Sequence, residues 1–120
     1  MNCATITITD ITKPAQSLYT LLSVGSQPGY TVSPAGGIFP AISIIGSVSY
    51  LSVQASPTNS TQTVYKGDEN TKTDGSLQGK EMAAGSTDVI QAYPHQVDLN
   101  TTFLRASANG AKINVEVHYA

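Results

Sequence analysis

The chain has 120 residues, six Lys and Arg, eight Asp and Glu, a formal charge of −2 and one cysteine. That is the length of a single domain, and at 40% hydrophobic residues with little net charge it can build a core rather than stay disordered. There is no basic excess to neutralise phosphates, and one cysteine makes neither an internal disulfide nor a thiolate zinc site.

Charged residues are only 12% of the chain, about half the usual share, and hydroxyls replace them: 13 Ser and 14 Thr. At the N-terminus, residues 4–9 (ATITIT) alternate, with Ile6 and Ile8 on one face and threonines on the other, the pattern of a half-buried strand. No basic start or continuous apolar run precedes it, so synthesis in a cytoplasm without a targeting segment is expected. Cys3 is expected to be a small inert hydrophobe near the end of this strand. From Ala15 the period changes. Leu18, Leu21 and Leu22 fall at i, i+3 and i+4 between Pro14 and Gly25, which predicts one short helix over about 15–24, with Thr12 as its cap.

Ser26 to Pro40 holds three prolines and three glycines and reads as a loop with a brief strand at Tyr30 to Val32. Its Ile38 and Phe39 would be costly in water, so this segment is expected to fold back or to touch another chain. Residues 41–55 (AISIIGSVSYLSVQA) are the richest β region, with a bulge expected at Gly46 and either a second bulge or burial on both faces where the apolar phase slips after Tyr50. Short strands follow around Val64, over Glu81 to Ala84, over Thr87 to Ala92 with Val89 and also Ile90 as inward candidates, and at Val97 and Leu99. Asp68 to Lys80 carries the densest run of charge, five of the fourteen charged residues, and reads as an exposed connection. Thr102 to Ala106 and the alternating Lys112 to Tyr119 flank Asn109-Gly110, which predicts a hairpin with a type I′ turn. Many short strands separated by turns predict an all-β fold, an antiparallel β-sandwich or jelly-roll-like barrel in one domain over 1–120.

The chemistry-bearing residues do not converge in sequence. His95 and His118 lack a second ligand at i+2 or i+4, and Asp68, Glu69 and Asp74 lack the ligand spacing of an EF-hand. No Gly-x-Ser-x-Gly elbow and no Gly-Lys-Ser/Thr phosphate loop occurs, so no catalytic, metal or cofactor residues are assigned and no enzyme is expected. Asn59-Ser60-Thr61, Asn100-Thr101-Thr102 and Lys66-Gly67-Asp68 match short recognition strings but read better as turns.

The order of several segments resembles small virion proteins of tailed bacteriophages. These are QSLYTLLSVG (16–25), VYKGD (64–68), EMAAGS (81–86) and VDLNTTFLRASANGAKINVEVHYA (97–120). The resemblance implies a capsid decoration (cement) protein on the virion surface, bound to the major capsid protein and self-associating, commonly as a homotrimer. Neck or tail accessories share this look, and a carbohydrate-binding module for host attachment is the alternative. The role implies neither nucleic acid nor membrane as partner. Tyr30, Ile38 and Phe39 are the expected protein-interface residues, with the strand around Ile6 and Ile8 as a candidate to extend a neighbouring sheet.

Overall fold

The computed structural model describes residues 2–38, 48–91 and 97–119. Among them the chain runs β1 (Asn2–Ile8), α1 (Leu18–Ser23), β2 (Tyr30–Ser33), β3 (Val48–Ala55), β4 (Val64–Gly67), β5 (Lys80–Met82), β6 (Thr87–Gln91), a single 3-10 turn (Leu99–Thr101), β7 (Phe103–Ala106) and β8 (Ala111–Tyr119). The strands form two antiparallel sheets, ordered β2-β1-β8-β3-β6 and β5-β4-β7. The protein is therefore all-β and sandwich-like, with one short helix.

The alternation in β1 and β8 does the sorting. Ala4, Ile6 and Ile8 of β1 and Ala111, Ile113, Val115 and Val117 of β8 are all buried on one face. Leu51, Val53 and Ala55 of β3 continue that layer. Leu18, Leu21 and Leu22 of α1 and Leu104 of β7 are buried in the same core. Burying an aliphatic side chain fully is worth about 1.5–3 kcal/mol, so this layer dominates the folding free energy.

β3 contains the bulge that its apolar phase slip implies, one residue earlier than the sequence suggests. Val48 pairs with Tyr119 and Tyr50 with His118, so Ser49 is the extra residue, and Tyr50 turns outward while Leu51 turns in. The bulge expected at Gly46 lies outside the described residues.

Four expectations are corrected. The helix is shorter than 15–24, because Ser17, not Thr12, caps it; Thr20 N–H donates to Ser17 Oγ at 3.1 Å. Thr12 instead donates its hydroxyl to Asp10 Oδ1 at 2.6 Å. Val89 faces outward and is 49% exposed, because the register places Ile90 opposite buried Leu51. Leu99 opens a 3-10 turn, capped by Asp98, rather than continuing an edge strand from Val97.

The fourth correction is the largest. β7 and β8 do not form a hairpin: β7 pairs with β4, and β8 pairs with β1 and β3 in the other sheet. A type I′ turn needs positive φ at both central residues, yet only Gly110 has it, at 89°. Asn109-Gly110 is used as a crossing between sheets. Gly110 N–H donates to Ile8 O at 2.8 Å, Asn109 Oδ1 accepts from Ile11 N–H at 2.8 Å, and Gln62 Nε2 donates to Asn109 O at 3.1 Å.

Candidate functional site

Alternation puts every second residue of the five-stranded sheet on its outer face, and the register aligns these residues into rows. One row crosses all five strands: Ser33, Thr5, Asn114, Gln54 and Thr87. Every member is uncharged and polar. The next row holds Cys3, Glu116, Ser52 and Val89, and the one beyond it His118, Tyr50 and Gln91. On the other side of the central row lie Thr31, Thr7 and Lys112.

Along the central row, side-chain hydrogen bonds link neighbouring strands and run in one direction. Thr5 Oγ1 donates to Asn114 Oδ1 at 3.1 Å, and Asn114 Nδ2 donates to Gln54 Oε1 at 3.2 Å. This fixes the carboxamide planes across the sheet. Glu116 Oε2 lies 2.7 Å from His118 Nε2, and the His118 ring sits 4.6 Å from that of Tyr50, tilted by 39°. Around the central row the face is concave. A depression of about 450 Å³ is lined by all five residues of that row, with Cys3, Ser52 and Glu116 beside them. Cys3 is thus exposed on this face rather than packed as a hydrophobe.

A second surface of different character lies at the C-terminal end of α1. Gly25 (φ 104°) and Gly37 (φ 82°) let the Pro34–Ile38 loop press onto the helix, where a Cβ at either would collide with the carbonyl of Ala35 or of Leu22. Ile38 N–H donates to Leu22 O at 2.7 Å, Gly37 N–H to Pro34 O at 2.9 Å and Ser26 N–H to Ala35 O at 3.3 Å. Pro34, Ala35 and Gly36 are exposed on this locked loop, and Val24 beside it is 64% exposed. The surface is apolar and carries no charge.

The residues expected at an interface divide accordingly. Ile6 and Ile8 are fully buried in the chain's own core, and β1 is paired on both edges from Thr5 to Ile8, so the strand around them has no free edge to extend another sheet. Tyr30 is also core: it is 2% exposed and its hydroxyl donates to Leu104 O at 2.8 Å. Burial pushes its phenol pKa above the ordinary value, against the opposing pull of nearby Arg105. Ile38 is half-buried against the core at the helix–loop junction, and Phe39 lies outside the described residues. Tyr65 is buried as well, so neither it nor Tyr30 offers a ring for sugar stacking.

The acidic loop between β4 and β5 is occupied with its own turns. Asp68 Oδ1 accepts from Asn70 N–H, and Asp74 Oδ1 accepts from both the N–H and the hydroxyl of Ser76, which lowers the Asp74 pKa. Asp10 is lowered in the same way by the hydroxyl and N–H of Thr12. Lys66, on β4 just before this loop, pairs with Asp88 of β6 at 2.7 Å and bridges the two sheets. Among the described residues no three His, Cys, Asp or Glu gather as metal ligands. His95 lies outside the described residues.

What sequence reasoning missed is the outer row. Its signal was present as the polar half of each alternating strand, but Ser, Thr, Asn and Gln on a solvent face draw no notice until a register aligns them. No family model, curated protein or solved structure matches the chain.

Proposed function

We propose that the protein is a structural component of a tailed-bacteriophage particle, a capsid decoration protein that binds and stabilises the shell of the major capsid protein. The role is non-enzymatic and needs no cofactor. The observation that carries the reading is the locked apolar surface formed by Val24 with Pro34, Ala35 and Gly36, which leads in sequence into Ile38 and Phe39. Interface cores are depleted in charge and gain affinity from rigid, preorganised contacts, and this loop is uncharged and held by one hydrogen bond to α1 and another to Ser26 just beyond it. The similarity of four segments to small virion proteins supplies the context, and self-association as a homotrimer around a symmetry axis suits a shell.

The mechanism is bridging. Each copy buries its apolar surface across adjacent capsid subunits and adds contacts that must break before the shell ruptures under the pressure of packaged DNA. Particles stripped of the protein should rupture at lower temperature, and adding back wild-type protein should restore the value. Protein carrying Val24→Asp and Ala35→Asp, folded by circular dichroism, should neither bind nor restore it. An unchanged rupture temperature on stripping would overturn the cementing role. Hundreds of copies per particle support decoration, whereas a few to a dozen would move the protein to the neck or tail.

A further inference from the structure

We propose that the outer face of the five-stranded sheet is a binding site for a neutral oligosaccharide, laid across the strands along the row Ser33, Thr5, Asn114, Gln54 and Thr87. This goes beyond the docking role, which uses a different surface. Three observations carry it.

The first is shape. The five residues line one depression of about 450 Å³, within the range of small-ligand sites. At about 4.8 Å per strand the row is about 19 Å long, the span of a short oligosaccharide rather than a single ring.

The second is hydrogen-bonding capacity. A carboxamide presents a donor pair and an acceptor in one plane, which suits the paired hydroxyls of a sugar. The relay from Thr5 through Asn114 to Gln54 uses one N–H of Asn114 and the oxygen of Gln54. It leaves the Gln54 carboxamide nitrogen, the second Asn114 N–H and the hydroxyls of Ser33 and Thr87 without protein partners among the described residues. The relay also holds both amides in place, so little side-chain entropy is lost on binding. At one end of the face the Tyr50 ring, backed by His118, offers a surface for a sugar's C–H face.

The third is charge and polarity, which select among occupants. The central row has no formal charge. Glu116 is engaged with His118, and Lys112 is the one cation on the flanking rows described above. A phosphate-rich ligand finds no cationic cluster here. A protein partner would want an apolar or aromatic centre, yet among the described residues the one large aliphatic on this face, Val89, sits on the edge strand β6. Neutral hydroxyl groups match both the charge and the hydrogen-bonding pattern.

The test uses the intact protein and named probes: cellotetraose, maltotetraose, mannotetraose, xylotetraose and chitotetraose, titrated at millimolar concentration by two-dimensional amide NMR. At least one should bind, with shifts confined to the central row and its neighbours. The same saccharide should slow alkylation of Cys3, which lines the depression. Asn114→Ala and Gln54→Ala should each weaken binding about tenfold, the loss of one hydrogen bond to a neutral hydroxyl, without changing the fold. Val24→Asp, on the docking surface, should leave saccharide binding unchanged, so failure here is distinguishable from failure of the decoration role. Absence of shifts with every probe, shifts centred elsewhere, or unaltered binding in both amide variants would overturn the proposal. So would protection of Cys3 by capsid protein alone, which would make this face a protein interface.

Discussion

The two faces of the five-stranded sheet are built from the same strands and differ by one residue's step along each. Inward, Ile113 and Val115 of β8 are almost fully buried; outward, Asn114 between them is half-exposed and hydrogen-bonded to both neighbouring strands. The inner face is aliphatic and contributes through the volume it fills. The outer face is polar, uncharged and already partly cross-linked through its own amides. Stability and recognition are thus separated onto alternate residues, and a substitution on one face should leave the other property nearly untouched.

That separation can be broken in graded steps. Ile113→Ala, at a fully buried position in the central strand, should cost about 2–5 kcal/mol in urea unfolding. Gly37→Ala should come next, at about 1–3 kcal/mol, because its positive φ and the Leu22 carbonyl both oppose a side chain. Tyr30→Phe should cost about 1–2 kcal/mol by leaving the Leu104 carbonyl without its donor. Tyr30 also sets an alkaline limit. Its folded pKa is raised from 10.0, so its contribution is complete below pH 10.0 and is lost as pH rises through the folded value. The phenylalanine variant should lose that dependence in alkaline unfolding curves.

On the outer face, Asn114→Ala should change stability by about 0.5–1 kcal/mol while weakening saccharide binding about tenfold. A loss comparable to that of Ile113→Ala would show the two faces to be coupled and would refute the separation. The smallest effect belongs to Asp10 and Asp74. Both folded pKa values are lowered, so their stabilisation is present above the ordinary carboxylate pKa and fades as pH falls through the folded values. Asp10→Asn with Asp74→Asn should flatten the acid limb of a pH–stability curve by slightly lowering the neutral plateau, a small effect because water screens both carboxylates.

The inner face was legible in the sequence because its determinants are local. Ile6 with Ile8 and Ile113, Val115 with Val117 declare their period without reference to any partner. Leu18, Leu21 and Leu22 do the same for the helix, although its start was misplaced because Thr12 and Ser17 are both acceptable caps. Pairing is another matter. Asn109-Gly110 is as good a turn dipeptide as the chain contains, yet it joins strands of different sheets, because β8 finds more to bury between β1 and β3 than beside β7. Tyr30 was misread for the same reason: an aromatic in a Pro- and Gly-rich segment looks exposed until β2 pairs with β1 and turns its ring inward. The outer row was invisible because it is a property of register across five strands, and four of those alignments link residues far apart in the chain.

The placement of β8 sets a timetable for synthesis. β8 is made after both β1 and β3 yet must lie between them, so neither of those can reach this shared neighbour until residues 111–119 have been made. About 100 residues separate β1 from β8, which at ribosomal rates is roughly 5–20 s during which Ile6 and Ile8 have no β8 to cover them. A chain stopped before Ala111 keeps two halves of a sheet with their shared centre missing. Such a fragment cannot pass as a smaller version of the protein, because Ile6, Ile8, Leu51 and Val53 lose the strand that lies between them.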